Sequence, residues 1–231
     1  MTKKKLSKLK AQKAHVKATY TKIIFPVPKA PVNEALPETM SFYVDTRFTA
    51  AQSSRLKQLI GLVLNYWKVH YDQLDAGAPQ SAYQRCVNKY AKFNLAPVWF
   101  EEKLSNGSAA AGVQMDGFTT QIIANGFGRS AKAFIMYQES GTSTIKGFNA
   151  SNPETNSLTV TINATDLSKT SVTNQFLAGS LQHAWLHREG YRHPTGKYTG
   201  YFAGECSMCV MRGSRDKTAN TPDSFYTEWL D

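Results

Sequence analysis

The chain has 231 residues, of which 42% are hydrophobic and 19% are charged, and its formal net charge is +10. These proportions are ordinary for a globular protein, and the length allows one substantial core or two small ones. No apolar run approaches the ~20 residues that a membrane-spanning helix needs, so the sequence predicts no membrane span.

The positive charge is concentrated at the start of the chain. Residues 1–22 contain eight lysines and no acidic residue, so the rest of the chain carries a formal net charge of only +2. Such a run is typically a flexible tail, because like charges repel and little apolar surface is available to bury. We therefore expect residues 1–40 to form a basic flexible tail and a proline-containing linker. The nearly neutral body gives no indication of nucleic-acid binding.

The same tail bears on localisation and on partners. It lacks the apolar segment of about 7–15 residues that a secretory signal peptide carries, so we expect synthesis in the cytoplasm. A flexible basic leader ahead of a compact body suits a toxin or effector that a secretion or phage-like injection apparatus exports. That apparatus is the predicted partner of the tail, and a weak polyanion-binding arm or a plain solvated tail is the alternative.

The first elements after the tail are a strand and two helices. SFYVDTRF, residues 41–48, has the alternation of a strand, and the next four residues, Thr49 to Gln52, have the pattern of a helix capping box. The helix that follows places four large apolar residues on one face. These residues are Leu56, Ile60, Val63 and Trp67. A second short helix is expected within residues 78–95.

The later elements are strands followed by one long helix. Apolar runs at 97–100 and 132–137 predict strands, with the glycine-punctuated segment 117–128 between them. The alternating, β-branched segment 157–167 is the strongest strand candidate, and the long helix after it should stop at Gly190. The succession predicts an α+β fold, with residues 41–231 as one domain that contains a twisted mixed sheet.

This long helix carries three of the five histidines, in the segment HAWLHREGYRH, residues 183–193. His183 and His187 are four residues apart, so their imidazoles lie on one helix face and can share a metal ion. Gly190 permits a sharp turn, after which His193 can supply a third ligand. Three protein ligands leave one position open, as in a catalytic zinc site, and we therefore predict bound Zn²⁺.

The histidine spacing resembles the motif H-E-x-x-H-x-x-G-x-x-H of the metzincin clan of zinc metallopeptidases. Four of the five fixed residues of that motif are present: His183, His187, Gly190 and His193. The resemblance implies a zinc endopeptidase domain that hydrolyses protein or peptide substrates. It also implies a methionine-containing turn below the metal, for which Met208 in ECSMCVMRG is the candidate and Met211 the alternative.

Ala184 departs from this pattern. The resemblance implies a glutamate there as the general base, and an alanine side chain cannot accept a proton. Glu189 is not expected to replace it, because helical geometry points its side chain away from the histidines, toward solvent or behind them. Two explanations stay open. In the first, alanine replaces the glutamate of an otherwise intact endopeptidase. In the second, the chain is a natural pseudopeptidase that acts as a zinc-containing peptide-binding module.

The cysteines do not indicate a disulfide framework. The chain has only three, Cys86, Cys206 and Cys209, and a second CxxC pair for a four-thiolate zinc site is missing. We interpret the CSMC pair as two small buried residues, with redox chemistry or half of a zinc site as the alternatives.

The resemblance also suggests where a substrate would lie. An extended peptide would add as a strand to a free edge of the sheet, for which segment 132–137 is the candidate and 157–165 the alternative. Residues 212–223, after the methionine turn, are expected to line the specificity pocket.

Overall fold

A computed structural model describes residues 18–124, 132–151 and 156–231. Over these ranges the chain forms one five-stranded sheet and seven helices, which confirms the α+β class. The elements in chain order are β1 (Tyr20–Pro26), β2 (Thr39–Asp45), α1 (Ala50–Asp75), α2 (Ala82–Tyr90), α3 (Gly107–Ile123), β3 (Phe134–Gln138), β4 (Ile145–Lys146), β5 (Val160–Asn163), α4 (Ala164–Leu167), α5 (Asn174–Arg188), α6 (Phe202–Met211) and α7 (Ser224–Thr227).

The sheet is mixed and has the strand order β1-β2-β3-β5-β4. The three central strands, β2, β3 and β5, run parallel, whereas β1 and β4 pair antiparallel at the two edges. The register places Val44 beside Ile135 and Ile135 beside Val160, and all three side chains are buried. Central strands covered on both faces are expected to be rich in such residues.

The flexible-linker prediction is wrong for part of residues 1–40. Residues 20–26 form β1, and all seven of them pair with β2. Most side chains of this segment are exposed or half-buried, which suits an edge strand because one of its faces can remain in water. Residues 1–17, which hold seven of the eight lysines of residues 1–22, lie outside the described part of the chain.

Helix α1 follows its sequence pattern closely. Thr49 caps its first turn and Gln52 returns the bond to the Thr49 backbone, so the predicted capping box is confirmed. The predicted apolar face is also confirmed, since all four of its residues are buried. Trp67 packs its ring in the core and donates its indole N–H to Thr119 Oγ1 of α3 at 2.9 Å.

Between α1 and β3 the structure differs from the predicted order. The second short helix is confirmed as α2, which Ser81 caps. The strand predicted at 97–100 is wrong, since these residues form a turn in which Pro97 accepts a bond from Phe100. Helix α3 was not predicted because its small residues give no clear apolar stripe. Its last turns contain the start of the glycine-punctuated segment, of which residues 125–128 lie outside the described ranges.

The predicted strand at 157–167 is shorter in the structure. Only residues 160–163 form β5, and the chain then turns directly into the short helix α4. Asn163 ends the strand because its side chain accepts hydrogen bonds from Thr165 N and Asp166 N. The long histidine-bearing helix is confirmed as α5, capped by Thr173. No helix in the described ranges is both long and apolar enough to cross a membrane.

Candidate metal centre

Helix α5 is the central element of the site and is buried along most of its length. Trp185, on this helix, stacks against Phe42 of the sheet with ring centroids 5.8 Å apart, and Phe118 of α3 lies 5.7 Å away. On another side, Gly147 approaches so closely that an added Cβ would lie 1.9 Å from the Ala184 carbonyl oxygen. Only glycine permits this contact, which holds the segment after β4 against the helix.

The turn after α5 brings the chain back toward the helix. Gly190 has a φ of +98°, the left-handed conformation that the sequence predicts at this point. Its carbonyl accepts a hydrogen bond from Val98 N at 3.0 Å, and the Glu189 carbonyl accepts one from Trp99 Nε1 at 2.6 Å. The apolar run predicted as a strand therefore lies against the end of the site helix, although Val98 and Trp99 remain partly exposed.

The structure brings the three predicted histidines together. One nitrogen from each of His183, His187 and His193 lies within 4.8 Å of the nitrogens of the other two. The Nε2 atom of His183 is 3.2 Å from that of His187 and 3.1 Å from that of His193. Donor atoms arranged tetrahedrally about 2.0–2.1 Å from a metal would lie about 3.3 Å apart. The cluster therefore has the size of a metal-binding site and could hold a metal ion.

Hydrogen bonds on the far side of each ring set the direction in which the donor nitrogens point. The Nδ1 contacts are Ala203 O (3.3 Å) and Ser207 Oγ (3.2 Å) for His183, Tyr191 O (2.9 Å) for His187 and Pro194 O (3.0 Å) for His193. Because a carbonyl oxygen can only accept, each Nδ1 carries the proton and each Nε2 presents its lone pair. Three lone pairs that converge in this way repel one another unless a cation lies between them.

Burial also favours neutral imidazoles, the form that binds metals. Burial lowers the pKa of His183 well below its usual value, and the neighbouring His187 and His193 lower it further. Burial likewise lowers the pKa of His187, although the nearby Asp231 carboxylate opposes this effect. Both rings are therefore available as ligands at neutral pH.

Asp231 lies beside the histidines, a position that no sequence pattern predicts. Its Oδ1 atom is 3.3 Å from His183 Nε2 and 3.5 Å from His187 Nε2. Gly147 N donates to its Oδ2 at 3.2 Å, whereas its buried Oδ1 accepts no hydrogen bond from the described residues. Burial raises the pKa of this carboxyl group, and His187 lowers it in turn. Asp231 belongs to no motif and follows His193 at a distance, so only the tertiary structure could place it.

The Tyr198 ring lies against two of the histidines. Its centroid is 5.8 Å from that of His183 and 5.0 Å from that of His193. Burial, together with the charge of Asp231, raises the pKa of its phenol. Tyr191, the other tyrosine of this region, is instead buried behind the site and stacks on Phe202 at 4.6 Å.

Three further residues that the sequence analysis singled out lie close to the histidines. Ala184 is fully buried on α5 and offers no carboxylate. Glu189 does not face solvent: it is buried, Gln114 Nε2 donates to it at 3.3 Å, and burial raises its pKa to about 8. Met208 lies within helix α6 rather than in a turn. The apolar sequence around it supports a fully buried helix, and two other residues of that helix, Ala203 and Ser207, contact His183.

The cysteine interpretation is confirmed in one respect and wrong in another. All three cysteines are buried, as expected for the CSMC pair. However, Cys86 and Cys209 form a disulfide, and only Cys206 is free. The bond joins α2 to α6 across 123 residues of sequence, a separation from which pairing could not be predicted. It therefore ties the helix that supports His183 to the rest of the core.

The substrate-edge predictions also need correction. Segment 132–137 contributes β3, which pairs with β2 and β5, and segment 157–165 contributes β5, which pairs with β3 and β4. Neither is a free edge. The edge on the side of α5 is β4, and its continuation runs along the helix, where Ala150 N donates to His187 O at 2.9 Å. In the predicted pocket segment, Arg212 is buried and donates to the sulfur atoms of Cys86 and Cys209.

Comparisons with known proteins do not add to this picture. No family model matches the chain, and no curated protein and no solved structure matches it either. The case for a metal centre therefore rests on the geometry of the three histidines, and the resemblance to metzincins stays a resemblance of motif.

Proposed function

We propose that this protein is a zinc-dependent endopeptidase of metzincin type in a form that lacks its general base. The convergence of the three Nε2 lone pairs, each oriented by a hydrogen bond at Nδ1, is the observation that carries the proposal. Imidazole ligands suit zinc among other transition metals, and three histidines with an open fourth position are a known ligand set of catalytic zinc. When bound, it would supply a Lewis acid that polarises a peptide carbonyl and lowers the pKa of a water molecule.

The surroundings of the histidines support a peptide as substrate. Among the described strands, β4 pairs only with β5, so its other edge can accept an extended chain by strand addition. The Gly147 contact holds the segment after this edge against α5 at Ala184, one residue from a ligand histidine. A peptide bound along β4 would thus lie next to the histidines.

The residues of the site have the following roles in this proposal. His183, His187 and His193 hold the metal, and their Nδ1 partners keep the rings oriented. Ala184 cannot take up a proton, and for that reason turnover by the present sequence is expected to be very low. Removal of a general base typically costs about 10²–10⁴-fold in rate.

The decisive experiment measures zinc content and restores the base. We expect one zinc per chain by elemental analysis, and cleavage of a mixed peptide library by the Ala184→Glu variant that a chelator abolishes. Ala184→Gln is the matched control, because it adds the same volume without a base and should bind zinc but not cleave. A chain that binds no zinc would overturn the proposal at its foundation.

The second candidate is a natural zinc-containing peptide-binding module. Ala184 favours it, because this completely buried side chain offers no proton acceptor and so suits a site that binds without cleaving. Under this alternative, the present chain binds peptides in a zinc-dependent manner and Ala184→Glu remains inactive. Peptide binding by calorimetry, with and without chelator, separates the two functions.

A further inference from the structure

The carboxylate of Asp231 lies next to two of the three histidine nitrogens. Its Oδ1 atom lies 3.3 Å from one ligand nitrogen and 3.5 Å from another, close to the 3.1–3.2 Å that separate the imidazole nitrogens themselves. Tetrahedral donors about 2.0–2.1 Å from a zinc ion have this spacing. A carboxylate oxygen is also one of the three atom types that zinc accepts in proteins.

The two oxygens of this carboxylate have different surroundings. Gly147 N donates to Oδ2, and this bond orients the group. Oδ1 is buried without a hydrogen bond from any described residue and faces the histidine nitrogens. A buried carboxylate oxygen without a partner is costly, so a cation between it and the imidazoles would satisfy both.

The segment that carries Asp231 is packed firmly against the site helix. Residues 224–231 begin with α7, in which Tyr226 stacks on Phe176 of α5 at 5.3 Å. The Trp229 carbonyl accepts a hydrogen bond from Ser180 Oγ, also on α5. Leu230 is buried beside Met208 and Met211. These contacts place the carboxylate at the metal site reproducibly rather than by the chance swing of a surface side chain.

We infer that Asp231 is the fourth ligand of the metal and that residues 224–231 form an internal plug, which closes the site. With Asp231 bound to the metal, all four positions would be filled by protein, as in a structural zinc site. Asp231 also holds Gly147 N, a backbone donor in the segment after β4. Substrate access therefore requires the plug to withdraw. The inference rests on the metal-binding part of the proposed function and does not depend on catalysis.

The test uses the full chain loaded with Co²⁺, whose visible absorption distinguishes four-coordinate from five-coordinate sites. For the parent chain we expect a four-coordinate spectrum that azide does not change. For Asp231→Asn and Asp231→Ala we expect affinity for Co²⁺ and Zn²⁺ to fall at least about tenfold, and azide to alter the spectrum because a position is now open. Asp216→Asn is the control, since Asp216 pairs with Lys89 on the surface.

The outcomes separate the plug from the metal centre. If the parent chain and the Asp231 variants bind metal equally well and respond equally to azide, the plug is wrong and the metal centre stands. If neither the parent nor the Asp216 control binds metal, the metal centre fails and the plug with it. Circular dichroism establishes that each variant is folded, and His187→Ala, which removes a proposed ligand, provides the reference for a lost site.

Discussion

Breaking the Cys86–Cys209 disulfide should destabilise the fold strongly. The bond spans 123 residues of sequence, and the loop-closure relation for a loop of this size gives about 5 kcal/mol at 25 °C. In a chain of this length, 1 kcal/mol shifts the melting temperature by about 2–4 °C, so the expected loss is about 10–20 °C. Loss of the disulfide should also disturb the histidine cluster, because the bond anchors α6, which contacts His183.

The assay is thermal denaturation of the oxidised chain with and without reductant. A thiol titration of the oxidised, denatured chain should find one free thiol, that of Cys206. The Cys206→Ala variant is the matched control and should keep the full effect of reductant, whereas the double variant Cys86→Ala/Cys209→Ala should lose it. Three free thiols in the oxidised chain, or a melting temperature that reductant leaves unchanged, would refute the reasoning.

Two further predictions concern packing and pH. Gly147→Ala should cost about 3 kcal/mol or more in the free energy of unfolding, because the new Cβ meets the Ala184 carbonyl oxygen, whereas Gly61→Ala, in open space on α1, should be neutral or slightly stabilising. Denaturant titration measures both, and equal effects would contradict the proposed close contact. His70 is buried against Ser81, and burial lowers its pKa to about 4. Between about pH 6.5 and 4 the unfolded chain therefore binds more protons than the folded chain. The free energy of unfolding should decrease as the pH is lowered through this window, by up to about 1.4 kcal/mol per pH unit. The free energy of unfolding of the His70→Asn variant should decrease less steeply over the same window. Parallel pH curves for the variant and the parent chain would contradict the low pKa of His70 as the cause.

The parts of the site that lie close together in sequence could be predicted well. The spacing of His183 and His187 decides a shared helix face, and Gly190 supplies the left-handed turn that returns His193. These features follow from helical periodicity and from the conformational freedom of glycine, both of which act over a few residues. For the same reason the capping box at Thr49 could be predicted from four letters of sequence.

The wrong predictions concern apolar segments, because the same apolar sequence can form a strand, a buried helix or a loop that packs on another element. The run at 97–100 resembles a strand, but in the structure Trp99 covers the end of α5. The small residues of α3 are buried between other helices and so lack the one-sided pattern that marks an amphipathic helix. The strand order also could not be predicted from the sequence, because β3 and β5 become central strands only through partners that are distant in sequence.

By itself, the sequence determined the histidine-bearing helix, the turn after it and the three imidazoles of the candidate centre. Only the tertiary structure decided what surrounds them: Asp231 beside the histidine nitrogens, α6 behind His183, and the bond between Cys86 and Cys209. Local periodicity cannot encode these contacts, since each joins residues that are separated by twenty to more than one hundred positions in the sequence. They form because burial of apolar surface packs the helices on the sheet, and polar groups then pair with whichever partners that packing brings near.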